Sequence, residues 1–118
     1  RDEDRALAEE LRARLERLEV RGSHDLVSYG VKPGGAVYLH PYGLRYSPFQ
    51  LWVNSRGDLV VFGNWGHYAV KANHHGFAPL AEVLGQDHTG SARSVRLADL
   101  DLDELWQAAL ACAEAINE

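Results

Sequence analysis

The segment FQLWVNSRGDLVVF, residues 49 to 62, constrains the fold more than any other part of the chain. Two β-rich runs flank Ser55-Arg56-Gly57, a three-residue turn in which the glycine can take the left-handed conformation. This pattern predicts a β-hairpin. Both runs are apolar at neighbouring as well as alternate positions, which is typical of strands covered on both faces. The hairpin is therefore predicted to lie in the middle of a sheet.

Shorter β-rich runs supply the other strands. HDLVSYGV and AVYLH precede the hairpin, and HYAVKA and SVRL follow it. Turn-forming residues such as Pro41, Gly43 and Gly66 separate the runs. The strands are expected to pair in chain order.

Two amphipathic segments enclose the strands. The first repeats leucine at helical spacing, at Leu7, Leu11, Leu15 and Leu18. The second carries its apolar stripe at Leu102, Leu105, Trp106, Ala109, Leu110, Ala113 and Ile116. Gly22 is predicted to end the first helix, and the acidic residues near Asp101 and Glu104 to begin the second. APLAEVLG adds one or two helical turns.

The predicted fold class is α+β: an antiparallel β-meander of four to six strands, flanked by N- and C-terminal helices. A chain of 118 residues is long enough for one hydrophobic core, so residues 1–118 are expected to form a single globular domain.

The charge distribution restricts the kinds of partner that the protein can bind. The net charge is −5, and residues 97–118 contain six acidic residues and no Lys or Arg. This argues against binding of a nucleic acid, which requires a basic surface. No apolar run is long enough to span a membrane and no signal-peptide pattern opens the chain, so a cytoplasmic location without membrane contact is expected. The single cysteine, Cys112, fits a reducing compartment.

Histidines are the candidate ligands for a metal. The candidates are His67, His74, His75 and His88, with Asp87 beside the last. Their spacing matches no zinc signature, and adjacent histidines point in opposite directions in an extended chain. We therefore expect local hydrogen bonding, with no metal and no cofactor.

Catalytic motifs are weak. A metal-free nuclease could draw a base, an acid and a cation from His67, Lys71 and His88. Cys112 lies among alanines in a helix and is expected to be a small buried side chain rather than a nucleophile. No nucleophile elbow or phosphate-binding loop is present. A small histidine-dependent hydrolase or nuclease remains an alternative.

Aromatic residues are concentrated in the strands and their turns. Between positions 38 and 68 they are Tyr38, Tyr42, Tyr46, Phe49, Trp52, Phe62, Trp65 and Tyr68. Gly63 and Gly66 interrupt the β pattern around Trp65 and predict that its indole is turned out of the sheet. The predicted partner contacts are Tyr46, Trp52, Trp65, His67, Tyr68 and His75, with Asp101 and Asp103 as steering charges. Cross-strand packing of the aromatics and helix capping by the acids are the alternatives.

In size, acidity and lack of cofactor motifs, the chain resembles the small single-domain immunity proteins with which bacteria block their own toxins. The resemblance implies a protein-binding module that neutralises a toxin by occluding its active site. A domain that holds a small ligand between sheet and helices is the third hypothesis.

Overall fold

A computed structural model describes residues 2–31, 34–66 and 71–118 of the chain. Within these ranges the fold consists of α-helices, strands and short 3-10 helices joined by turns and loops. The helices are α1 (Asp2–Glu16), α2 (Ala78–Val83) and α3 (Leu102–Ile116). The strands are β1 (Val27–Tyr29), β2 (Val37–Leu39), β3 (Phe49–Val53), β4 (Leu59–Gly63) and β5 (Val95–Arg96).

The strands form one antiparallel sheet in the order β1-β2-β3-β4-β5. The predicted α+β fold with an antiparallel sheet and terminal helices is therefore confirmed. Of the strand predicted over HYAVKA, residues 67–70 lie outside the described residues. Lys71 and Ala72, which follow them, lie in a turn.

The central hairpin forms as predicted. β3 pairs with β4 over its full length. Gly57 has a φ of 84°, the left-handed conformation that the turn requires. The side-chain oxygen of Asn54 accepts hydrogen bonds from the backbone N–H groups of Arg56 and Asp58, both at 3.0 Å, and these bonds close the turn.

One face of the sheet shares a hydrophobic core with the helices. Strand pairing places alternate apolar residues of β2, β3 and β4 on this face. They pack with the leucine stripe of α1 and the apolar face of α3. The cluster includes Leu11, Leu15, Leu39, Phe49, Leu51, Val61, Leu105 and Ala109, all buried.

Helix α1 ends at Glu16, so the prediction that Gly22 ends it is wrong. The chain leaves the helix earlier because it has to reach the turn at Tyr42. The N–H groups of Arg21 and Gly22 both donate to the carbonyl of Tyr42, at 2.8 and 3.0 Å. A β-carbon on Gly22 would overlap the carbonyl oxygen of Gly43, so this crossing requires a glycine.

Helix α3 begins as predicted. The carboxylate of Asp101 accepts a hydrogen bond from the N–H of Glu104 at 3.1 Å and caps the helix. Leu105 is buried, whereas Leu110 is only partly buried. Among the described residues, no helix is both long enough and apolar enough to cross a bilayer.

Candidate functional site

Among the described residues, the predicted partner contacts lie in several parts of the fold. Asp101 and Asp103 lie at the start of α3. Tyr46 lies beyond its other end, where its backbone N–H and C=O bond to the side chain of Asn117 at 2.8 and 2.9 Å. A helix of 15 residues is about 22 Å long, so these groups lie at opposite ends of α3.

Trp65 does not project from the sheet, and the prediction that its indole is turned outward is wrong. The side chain is 0% exposed. It continues the core-facing positions of β4, and its six-membered ring fills the space that a β-carbon on Gly63 would occupy. Gly63 therefore admits the indole to the core instead of turning it away. The ring packs edge-on against Phe77, with centroids 6.3 Å apart.

Of the other predicted contacts, the structure describes Trp52, which also lines an apolar pocket, and His75. Trp52 is partly buried on the sheet face opposite the core, where its ring packs against Phe62 with centroids 5.2 Å apart. His75 is exposed and stacks on His74 at 4.4 Å. His67 and Tyr68 lie outside the described residues.

Both predicted steering acids have structural partners. Asp101 caps α3, as described above. Asp103 forms an ion pair of 2.8 Å with Arg14 and so links α3 to α1. These contacts fit the alternative interpretation, in which the acids stabilise a helix.

The described histidines do not converge on a metal position. Within residues 2–31, 34–66 and 71–118, no group of three or more His, Cys, Asp and Glu side chains could hold an ion. The ring nitrogen of His74 accepts a hydrogen bond from the N–H of Gly76 at 2.9 Å. Its neighbour His75 begins a 3-10 turn, so the two rings stack and do not point in opposite directions as predicted.

An apolar pocket lies between α1 and the end of the sheet near the hairpin turns. Its volume is about 400 Å³, within the usual range for ligand-sized cavities. Aliphatic side chains dominate the lining, and Arg12 of α1 provides its one charged group among the described residues. The lining includes Ala8, Val27, Val37, Leu39, Leu51 and Leu59.

Exposed apolar side chains surround this pocket. Tyr29 and Val53 line it and are 74% and 61% exposed. Val31, two residues beyond Tyr29, is fully exposed. A cluster of exposed apolar groups beside an apolar cavity is typical of an interaction surface. We call Tyr29, Val53 and the pocket lining the apolar end.

Strand β1 forms the edge of the sheet next to the apolar end. Its bonds to β2 are flanked by Gly30 N–H to Ala36 O and by His40 N–H to Leu26 O, both 2.8 Å. In an antiparallel ladder, alternate residues bond to the same partner strand. Ser28 therefore bonds inward, and the N–H and C=O groups of Val27 and Tyr29 point outward. No strand pairs with this outer edge among the described residues.

A polar cluster lies on the sheet face opposite the core. The hydroxyl of Ser28 is 2.7 Å from Nε2 of His40. Nδ1 of His40 is 3.0 Å from the carbonyl oxygen of Leu44, and the ring of His24 stacks on His40 at 3.8 Å. His40 is 2% exposed. Burial lowers the pKa of His40 below its ordinary value of 6.5, against the opposing effect of the Leu44 carbonyl.

Residue spacing alone did not reveal either feature. Ser28 and His40 come together only through the pairing of β1 with β2, which places Ser28 opposite Tyr38, two residues before His40. Alternation in AVYLH puts Tyr38 and His40 on one face, and this was the available signal. The apolar end is left open because α1 covers only part of the sheet. No local sequence pattern specifies how much of the sheet a helix covers.

No family model, curated protein or solved structure matches the chain.

Proposed function

We propose that the protein is a binding module that receives an extended segment of a partner protein along the outer edge of β1. The observation that carries the proposal is the unpaired edge of β1 beside the apolar pocket. Addition of a strand to an exposed sheet edge is a recurrent mode of peptide recognition, in which backbone bonds give affinity and side-chain pockets give specificity.

The backbone of β1 supports this mode. Val27 and Tyr29 together offer two N–H donors and two C=O acceptors to an incoming strand. Exposed apolar strand edges of this kind are usually covered or paired, because they otherwise associate with other chains. An added strand would satisfy all four groups.

The side chains support it as well. Successive residues of a strand alternate between faces, so every second residue of the incoming segment would lie on the same face as Val27 and Tyr29. That face carries the pocket. We therefore expect the segment to have apolar residues at alternate positions, with one of them entering the pocket between Ala8 and Leu51.

The finer identity of the partner follows from the resemblance to immunity proteins. A net charge of −5 favours association with a basic protein, and the proposed partner is a toxin whose active site the module covers. The proposed compartment is the cytoplasm. Cys112 has no second cysteine in the sequence to pair with, which suits a reducing environment.

Selection from a phage library of short random peptides on the immobilised protein tests the proposal. We expect enriched peptides with alternating apolar residues. Ala8→Phe, which fills the pocket, and Val27→Pro, which removes an outward N–H without breaking the ladder, should each weaken their binding by at least about tenfold. Ala111→Phe, the same change at an exposed position of α3, is the matched control and should leave binding unchanged.

Two outcomes would contradict the proposal. Enriched peptides that bind both pocket and edge variants as tightly as the parent protein would place the interaction elsewhere. Saturable binding of a small apolar molecule that Ala8→Phe abolishes, with no peptide enriched, would favour the small-ligand hypothesis instead.

A further inference from the structure

We propose that Ser28 and His40 form a nucleophile–base pair that hydrolyses small carboxylic esters. The pair lies on the sheet face opposite the pocket of the apolar end, although Ser28 belongs to β1 and Tyr29 lines both pockets. It corresponds to the histidine-dependent hydrolase alternative, at residues that the sequence did not single out.

The hydrogen bonds fix the state of the imidazole. A carbonyl oxygen can only accept a hydrogen bond, so Nδ1 of His40 carries a proton and donates a hydrogen bond of 3.0 Å to the carbonyl oxygen of Leu44. In the neutral ring, Nε2 is then unprotonated and accepts the hydroxyl proton of Ser28 at 2.7 Å. A base with a fixed orienting partner and a hydroxyl within hydrogen-bond reach is the arrangement that activates a serine nucleophile.

The surroundings keep His40 neutral and oriented. The ring is buried, and His24 stacks on it at 3.8 Å. Ser28, in contrast, is partly exposed and lines an open pocket of about 510 Å³. A substrate and water can therefore reach the hydroxyl, and His40 lies in the wall of the same pocket.

The same pocket offers a group for the developing negative charge. Arg45 lines it together with Tyr38 and Tyr46, and Arg45 is its permanent cation among the described lining residues. A guanidinium beside an ester carbonyl stabilises the oxyanion that forms on attack. An ester with a short acyl group is the substrate class that this pocket would take.

The reaction balances with water as the second substrate. Oγ of Ser28 bonds to the carbonyl carbon, and its proton passes to Nε2 of His40. The ester C–O bond breaks, and the departing alcohol takes the proton from His40, leaving an acyl group on Ser28. Water then attacks the acyl carbon and gives a proton to His40, which returns it to Oγ as the carboxylic acid leaves.

Hydrolysis of para-nitrophenyl acetate, combined with labelling by a fluorophosphonate, tests this proposal. We expect turnover above the rate in buffer, a label on Ser28 by peptide mass mapping, and loss of both in Ser28→Ala. The fall in rate should be at least about tenfold, since general-base assistance contributes roughly a hundredfold or more. Ser55→Ala, at an exposed turn serine, is the control and should retain the parent rate.

The fold of each variant is checked by thermal melting, and Ser28→Ala should melt cooperatively. His40→Gln provides a second test, because it fills the same site without a base and should also abolish labelling. Equal hydrolysis by the parent protein and Ser28→Ala, or a label on any other residue, would overturn the proposal. A parent protein that neither turns over the ester nor takes the label would do so as well.

Discussion

The indole N–H of Trp65 donates a hydrogen bond to the carbonyl of Gly90 at 2.8 Å. This bond joins the end of β4 to the loop that precedes β5, two segments 25 positions apart. The ring itself lies across Gly63 and against Phe77. Trp65 therefore contacts the sheet, the loop and the helical layer at once, and its role is structural.

Truncation of Trp65 should destabilise the fold. Trp65→Ala removes a fully buried aromatic side chain and should cost about 3–5 kcal/mol in the free energy of unfolding. Trp65→Phe keeps a ring but loses the bond to Gly90, and should cost less. Gly63→Ala should also destabilise, by about 1–3 kcal/mol, because its β-carbon would overlap the indole. Denaturant unfolding measures all three.

Binding of the enriched peptides to Trp65→Ala distinguishes a structural role of Trp65 from a role in partner binding. The affinity per folded Trp65→Ala molecule should equal that of the parent protein. Unchanged stability with lost affinity would restore the interpretation of residues 63–76 as a partner-binding rim.

Core leucines should differ in importance according to burial. Leu11, Leu15 and Leu105 are 0% exposed, and changing each to Ala should cost about 2–5 kcal/mol. Leu110 of α3 is only partly buried and serves as the internal comparison, with a smaller loss. Losses below about 1 kcal/mol at all three buried positions, measured by chemical denaturation, would contradict the core assignment.

The order and type of the helices and strands that the structure describes could be predicted, because local residues specify them. Leucine spacing indicates α1, and the Gly57 turn between two apolar runs indicates the central hairpin. The end of α1 could not be predicted, since it depends on the crossing of Gly22 over the distant Gly43.

The sites were harder to predict because they depend on contacts between distant segments. A glycine beside an aromatic residue signals either a turn or space for a ring, and only the packing around Trp65 distinguishes the two. Asp103 looked like an available charge in the sequence, yet the packing of α3 against α1 brings it to Arg14. The Ser28–His40 pair likewise depends on strand register.

Stability should depend on pH through His40. Burial lowers the pKa of His40 in the folded protein below its ordinary value of 6.5, and His24 adds to the lowering, whereas the bond to Leu44 and the nearby Asp25 oppose it. The unfolded chain therefore binds the proton first as pH falls. The contribution of His40 to stability is fully present above pH 6.5 and is lost as pH falls through the folded-state pKa.

Melting temperatures measured across this range test the assignment. His40→Gln should flatten the decline below pH 6.5. His74, whose pKa is also lowered by burial and by His75 and Lys71, leaves a residual decline in the His40 variant. Identical pH profiles for the parent protein and His40→Gln would contradict the prediction.

The purified protein should contain no stoichiometric zinc, manganese or iron. A structural ion would stabilise the fold strongly, because its ligands converge only in the native state. A chelator is therefore expected to leave the melting temperature unchanged. Elemental analysis that finds about one ion per chain, lost in His74→Ala or His88→Ala, would contradict this prediction.

Amide hydrogen exchange of Val27 and Tyr29, followed by NMR with and without a bound partner segment, tests the proposed function most directly. In the unbound protein both N–H groups point outward from the edge strand and should exchange rapidly. An added strand would bond both, so we expect exchange to slow by at least about tenfold at Val27 and Tyr29, with no comparable change at Trp65 or His75. Unchanged exchange at Val27 and Tyr29, with protection appearing in residues 63–76, would contradict the proposed mode of binding.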